Sequence, residues 1–486
     1  MTNEILQGKP LAKPRRGALL CKTSRRTFLA GAAASVGVCG FPALVRGQNL
    51  NSRLQHACIG TGGKGQDDWK NFITHPKVDI VAGCDVDTAR LAPLKQAVSG
   101  LRAYQDWREL LEREGGRIDS VNVSTPDHMH TIIVVNAMRR GKHVYCQKPL
   151  CRGLNESRLL REVAKKSGVV TEIGAQVTGD SGDRAAVQML REGVIGDIEK
   201  VYMYLNIKGY YRLPRCEVPV EADPVPATLD WEKWLGTAPV RDYKKGVYHP
   251  GHWRKWRDFG SSTMGDNGLH LMSATWLGMD LGADVAPLSV FGETDPLWRA
   301  FDAPRRRQIW PVGNHVVWKF PGVKASGGKP FTMEWCDGIP EENPLAGMLP
   351  SADALAAAQK LRMKSTPSIG KMIRGSKGWM MLSHGSMPVV LLDDGTRVKA
   401  PKIARGPGHY HDFLTHCIDG SRGALDFVAR GTAMQDALLM GNAAQLVPGT
   451  ELVWDASKRA FSNSEEATRV LYPKYRDGWT LEGLNA

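Results

Sequence analysis

The sequence predicts an α/β protein in two parts, a doubly wound parallel sheet followed by an α/β domain with a mainly antiparallel sheet. Three observations predict it. Short apolar runs alternate with helical patterns from about Arg53 to Gln176, the rhythm of parallel strands joined by crossover helices. A glycine-rich turn, Gly60-Thr61-Gly62-Gly63-Lys64-Gly65, falls between the first run and the first helix. Beyond Gln176 the rhythm changes to strand-like runs set among Pro- and Trp-rich stretches. The expected organisation is a leader over 1–48, the parallel-sheet domain over 49–175 and the second domain over 176–486.

Taken in order, "LQHACIG" is strand-like, and "KGQDDWKNFITH" places Trp69, Phe72 and Ile73 on one helical face. "VDIVAGCD" has the apolar run of a strand buried on both faces. "TARLAPLKQAV" reads as a helix interrupted at Pro93, and "YQDWRELLEREG" as a helix with apolar residues at i, i+3 and i+4. "IDSVNVSTP" is a strand ending at Pro126, "HTIIVVNAMRRG" a helix stopped by Gly141, and "HVYCQKPL" a strand. "NESRLLREVAKKSG" opens on an Asn cap and closes on Gly168, ahead of the strand "VVTEIGAQ". In the second part "DRAAVQMLREGVIG" is a helix, while "EKVYMYLNIKGYY", "HVVWKF", "FTMEWCDG" and "VVLLDDGTRV" read as strands. Residues 341–378 carry few strand signals and read as an insertion or lid. Helical patterns return at "HDFLTHCIDG" and "TAMQDALLMGNAAQL".

With 42% hydrophobic and 23% charged residues over 486 positions, the composition is that of a soluble globular protein with ample core. The formal net charge is +14, but the first 48 residues alone hold eight Lys/Arg against one acid. The remaining charges are dispersed, as on a solvated mixed surface. No nucleic-acid module is present, so no nucleic-acid partner is expected. Two of the nine cysteines fall in the leader, and the others show neither C-x-x-C nor zinc-like spacing. That pattern predicts no metal site and no disulfide framework.

The leader contains Arg25-Arg26, followed by an uncharged, Ala- and Gly-rich stretch from Phe28 to Val45. This resembles a twin-arginine export signal, which is read by a translocase that carries folded proteins. It predicts a periplasmic protein exported in its folded state, with the twin-arginine translocase as partner during export. The alternative is an uncleaved membrane anchor. Eighteen uncharged residues reach the lower length for a span, but three Gly and a Pro make a poor one.

Gly60, Gly62 and Gly65 form G-x-G-x-x-G, with Thr61 and Gly63 between them. The turn follows a strand, opens a helix and precedes a second strand that ends in Asp85, about twenty residues on. These are the context conditions of a dinucleotide-binding Rossmann loop. The first Gly permits the turn, the second admits the pyrophosphate, and the third lets helix and strand pack closely. The helix N-terminus then faces the phosphates. Asp85 would hydrogen-bond the ribose hydroxyls and repel a 2′-phosphate, and Val86 rather than Arg follows it. NAD is therefore expected, with NADP as the alternative.

At this point the chain resembles the Gfo/Idh/MocA oxidoreductases, the family of glucose–fructose oxidoreductase and inositol dehydrogenase. The likeness is carried by "IGTGGKG", "CDVDTARL", "STPDHMH", "GKHVYCQKPL", "GVIGDIEKV", "LDWEKWLGTAP" and "GDNGLH". The Trp-rich middle and "YRDGW" resemble the exported branch. The resemblance implies hydride transfer between a nicotinamide and a CH–OH carbon of a sugar, sugar derivative or polyol, in a homo-oligomer. It implies that Lys148 lies between nicotinamide and substrate, and that Gln147, Thr125, Pro126 and His130 border the nicotinamide ribose. It further implies that His270 is the general base and that Asp266, one helical turn before it, orients the substrate or His270. Three positions depart from the family pattern: Gln147 replaces the usual Glu, Ser273 a common Asp, and Ser261-Ser262 a glycine pair.

Each of these residues also has a plainer reading. Asp266 suits a helix N-cap, His270 a core histidine between Leu269 and Leu271, and Lys148 a surface position. The aromatics Trp231, Trp234, Tyr243, Tyr248, Trp253 and Trp256 suit either a sugar pocket or the packing of a long loop. Export implies that the dinucleotide is tightly held and regenerated in place. Two further functions share the fold, a redox-neutral NAD-dependent glycosidase and a non-catalytic binding protein.

Overall fold

The computed structural model describes residues 53–207, 221–311, 313–338, 356, 357, 360, 368–404 and 406–481. The leader with Arg25 and Arg26 lies outside them, as does most of the expected insertion over 341–378.

The first part alternates strictly. β1 (Leu54–Ile59) leads to α1 (Lys64–Phe72), β2 (Val78–Cys84) to α2 (Thr88–Ala97), and β3 (Arg102–Tyr104) to α3 (Trp107–Glu114). β4 (Ser120–Val123), α4 (His130–Arg139), β5 (His143–Gln147), α5 (Leu154–Ser167) and β6 (Thr171–Gly174) complete it. The strand order is β3-β2-β1-β4-β5-β6, and every pairing is parallel. All four residues of β4 and of β6 are buried, because helices cover both faces of such a sheet. The order reverses between β1 and β4. At that switch point the carboxyl ends of neighbouring strands diverge and leave a crevice for a ligand.

The second part opens with α6 (Ser181–Arg191) and β7 (Ile198–Leu205). α7 (Trp231–Leu235) and α8 (Ser262–Gly278) follow, then β8 (Ser289–Thr294), α9 (Pro296–Ala300), α10 (Ala303–Gln308), β9 (Asn314–Phe320) and β10 (Phe331–Asp337). β11 (Ile369–Gly375), β12 (Gly378–Ser383), β13 (Val389–Leu392) and β14 (Arg397–Val398) precede α11 (His409–Asp419) and α12 (Thr432–Leu446). β15 (Glu451–Asp455), β16 (Ala460–Phe461) and α13 (Glu465–Val470) close the chain. The ten-stranded sheet runs β14-β13-β12-β11-β7-β10-β9-β8-β15-β16. Its pairings are antiparallel except β7 with β10. α8 packs against α6 and α12 and so stands behind the sheet. Sixteen of its seventeen residues are buried, and a polar residue there needs a buried partner or a cavity.

Four expectations change. α5 is capped by Gly153, and Asn155 lies inside its first turn instead of capping it. β11 lies inside the stretch read as an insertion. Gly370, Lys371, Arg374 and Gly375 hide its strand character, and Lys371 is tolerated in the interior because Asp183 lies 3.1 Å away. Pro93 sits within α2 without ending it. Ile73 is 38% exposed, since α1 ends at Phe72 and only Trp69 and Phe72 reach the core. That core also holds Phe413, Leu414 and Cys417, so α11, late in the chain, completes the first domain.

Candidate active site

A cleft of about 570 Å³ opens at the switch point, within the size range of small-molecule and cofactor sites. Gly60, Gly62 and Gly63 line it. Gly60 has φ +81°, and a Cβ there would sit 2.7 Å from the Ser124 carbonyl. α1 starts at the loop, and its cap residue Gly63 makes no side-chain capping bond. The Gly65 and Gln66 N–H groups donate to Gly62 O and Gly63 O at 3.0 and 3.1 Å, and the positive end of the helix still suits an anionic group. Gly65 lies behind the loop, where a Cβ would stand 2.0 Å from the Gly60 oxygen.

Asp85 lines the cleft at the end of β2. Its carboxylate accepts the N–H of Thr61 at 2.8 Å, of Gly62 at 3.3 Å and of Asp87 at 3.0 Å. Burial pushes its carboxyl above the usual range, and the Asp87 and Thr61 N–H groups hold it back. Thr61 is buried and serves the site through its backbone, its hydroxyl donating to Arg90 O. These features fit a dinucleotide, with backbone donors at the glycine loop and an acceptor at the end of β2.

Thr125, Pro126, Gln147 and Lys148 also line the cleft. His130 is not among the lining residues. It is buried behind the turn, with Nδ1 2.8 Å from Pro149 O and Nε2 2.8 Å from Thr125 O. Burial lowers its pKa to about 4, against the pull of the Pro149 and Thr125 carbonyls. Its contacts are with the two backbone segments that carry Thr125 and Lys148, so it braces the site instead of facing a ligand.

Lys148 and Asp266 are 118 residues apart, yet Lys148 Nζ donates to Asp266 Oδ1 at 2.8 Å. Their side chains are 10% and 3% exposed. Arg254 Nε lies 3.8 Å from the same oxygen. His270, one turn along α8, lines the cleft with Lys148. Its Nδ1 is buried without a hydrogen-bond partner among the described residues. Burial, then the Lys148 charge, push its pKa well below the ordinary histidine value, so the ring is neutral. The plainer readings of Lys148 and Asp266 do not describe this arrangement: Lys148 is not at the surface, and Asp266 lies within α8, not at its cap.

Asp127 is a cleft-lining carboxyl that the sequence reading quoted only within "STPDHMH". Burial and the neighbouring Asp266 raise its pKa to about 8, against Arg254, Ser261 and Lys148. The folded protein therefore holds this proton more tightly than the unfolded chain, whose carboxyl titrates near 4. The resulting penalty is absent below about pH 4, grows as pH rises, and is complete above about pH 8. Asp127→Asn removes it. The variant should gain Tm relative to the parent by ~5 °C or more between pH 5 and pH 8, measured by thermal melting across that range. Parallel curves would refute the assignment.

The departure at Ser273 is matched by a neighbour. Ser273 Oγ lies 3.3 Å from Asp183 Oδ2, and Lys371 Nζ lies 3.1 Å from the same oxygen. A carboxylate is thus present one helix away, on α6. Ser262, from the other altered pair, donates to Asn442 at 2.9 Å and has φ 67°.

The remaining wall comes from the Trp-rich loop. Trp234, Tyr243, Tyr248, Trp253, Trp256 and Phe259 share an aromatic cluster, and Trp231 stacks on Trp234 with ring centroids 4.6 Å apart. Packing accounts for most of these side chains. Trp234 and Trp253 also face the cleft, beside His249 and Arg254. The loop is tied to the end of β2. Asp230 N donates to Val86 O and Thr88 N to Thr228 O, each at 2.9 Å, and His249 Nε2 lies 3.0 Å from Asp87 Oδ2.

Comparison with known proteins agrees with this layout. Residues 54–175 match the Gfo/Idh/MocA oxidoreductase family, NAD-binding Rossmann fold, and residues 205–295 match its C-terminal alpha/beta domain. The chain is 28% identical over 148 residues to scyllo-inositol 2-dehydrogenase (NAD(+)) of Bacillus subtilis, covering 30% of this chain and 43% of that protein. It is 27% identical over 188 residues to a glycosyl hydrolase family 109 protein of Stenotrophomonas maltophilia, covering 36% and 40%. These matches span less than half the length of either relative. In fold, the chain is similar to an oxidoreductase domain protein from Kribbella flavida, with TM-score 0.56 and 18% identity over 82% of this chain and 98% of that one.

Proposed function

Because the chain belongs to the Gfo/Idh/MocA oxidoreductase family, we propose that it is an NAD-dependent oxidoreductase acting on a CH–OH group of a sugar, sugar derivative or polyol. The observation that carries this reading is the Lys148–Asp266 pair at 2.8 Å, in one cleft with the glycine loop and His270. Gly60, Gly62, Gly63 and Asp85 would hold the dinucleotide, and Thr125, Pro126 and Gln147 would border its nicotinamide end. Bound NAD supplies the hydride acceptor. Lys148 Nζ keeps one N–H on Asp266 and directs another to the reacting hydroxyl, stabilising its developing alkoxide. His270, neutral and lining the cleft beside Lys148, is placed to accept the hydroxyl proton. Trp234 and Trp253 exclude water from one side.

The enclosing aromatic loop also supports a tightly held cofactor, in keeping with export of the folded protein through the twin-arginine route to the periplasm. A redox-neutral glycosidase is the second reading, favoured by the likeness to the family 109 protein. One experiment separates the readings: denature the purified protein and identify the released nucleotide, before and after exposure to a sugar and polyol panel. NAD before and NADH after is the expected result. Release of aglycone from a chromogenic glycoside, with no net change in nucleotide, selects the glycosidase. A protein that carries no dinucleotide and binds none refutes both.

A further inference from the structure

Gln147 ends β5, on the cleft wall next to Lys148. Its amide nitrogen donates to both oxygens of Asp68, at 2.9 and 2.8 Å. Its carbonyl oxygen is buried and has no hydrogen-bond partner among the described residues. Asp68 lies on α1, with its side chain wholly buried. Ser124 Oγ donates to it at 2.7 Å and Tyr410 OH at 2.9 Å, and Lys64 Nζ stands 3.7 Å away. Lys64 in turn donates to Tyr410 OH at 2.9 Å. A carboxylate ringed by donors accepts only, so the group facing it from residue 147 must be the amide NH₂. A buried carbonyl with no partner is costly unless a bound molecule supplies a donor.

We propose that Asp68 is a positioning residue for the nicotinamide end of the cleft: by engaging the NH₂ of Gln147 it leaves that side chain a pure acceptor, reserved for a hydroxyl or amide donor of the bound dinucleotide. The inference rests on the dinucleotide reading above. It explains how a glutamine serves where a carboxylate would do the same task. The negative charge is retained on α1, and the acceptor oxygen is retained at residue 147.

The test is NADH binding to the purified full chain, followed by nucleotide fluorescence after removal of any bound nucleotide. Asp68→Asn frees the Gln147 amide to turn and should weaken NADH binding about tenfold or more. Gln147→Glu alone sets two carboxylates against each other and should weaken it at least as much. In the Gln147→Glu/Asp68→Asn pair the amide and carboxylate have exchanged places, and affinity should return to within about threefold of the parent. If Asp68→Asn folds poorly, the pair still has to bind NADH more tightly than Gln147→Glu alone. Parent-like binding by Asp68→Asn, or no rescue in the pair, overturns this inference alone. A parent protein that binds no NADH overturns it together with the cofactor reading.

Discussion

Lys148→Met should lower kcat/KM for the oxidised sugar or polyol by about 10³-fold, within the range expected for a lost acid–base group. Its ammonium is the nearest cation to Asp266, at 2.8 Å against 3.8 Å for Arg254. Removing it also leaves a buried carboxylate short of its partner, which costs about 3–5 kcal/mol of stability. The two effects are separable. Lys148→Met/Asp266→Asn removes both charges and should recover most of the melting temperature lost by Lys148→Met, because the buried carboxylate that Lys148 neutralised is gone as well. It should recover none of the activity. A double variant that regains kcat/KM would show that Lys148 matters only as a counter-ion. A single variant within tenfold of the parent would remove Lys148 from the reaction. Steady-state kinetics with the substrate found in the panel, beside thermal melts of the same three proteins, decide between these outcomes.

The first domain was legible because its signals are local. The glycine loop, the strand before it and Asp85 lie within one βαβ unit, and each part constrains the next. The Lys148–Asp266 pair was not legible from spacing, since 118 residues separate the two. Only the resemblance joined them. Compensation hid the rest. β11 escaped notice because a buried lysine spoils its apolar pattern, and its partner Asp183 stands on a distant helix. Nothing in the local sequence distinguishes Asp68 from its neighbour Asp67. The chain brings Ser124, Gln147 and Tyr410 onto Asp68 only when three separate segments converge. The orientation of His130 was hidden for a related reason. The motif gives its position along the chain, whereas burial turns its ring inward to the carbonyls of Thr125 and Pro149. The aromatic loop was legible as composition, yet nothing local told which two of its rings face the cleft.

Gly65→Ala should weaken dinucleotide binding far more than the same change at Gly63. The glycine loop folds back so tightly that a Cβ on residue 65 would meet the Gly60 oxygen at 2.0 Å and its carbonyl carbon at 2.8 Å. Both are backbone atoms, so no side chain can swing aside. Relief requires α1 to move off β1, and this spreads the loop whose N–H groups would receive the pyrophosphate. Gly63 is a useful contrast. It has φ +53°, but no atom lies within 4 Å of its added Cβ. Gly63→Ala should therefore cost only the strain of a φ 53°, ψ −118° backbone that side chains rarely adopt, ~1–3 kcal/mol, with α1 left in place. The expected order in NADH titrations is parent, then Gly63→Ala weakened about tenfold, then Gly65→Ala weakened ~100-fold or more and melting several degrees lower. If Gly65→Ala bound NADH as well as the parent, the pyrophosphate would have to lie elsewhere, and the assignment of this cleft would fail with it.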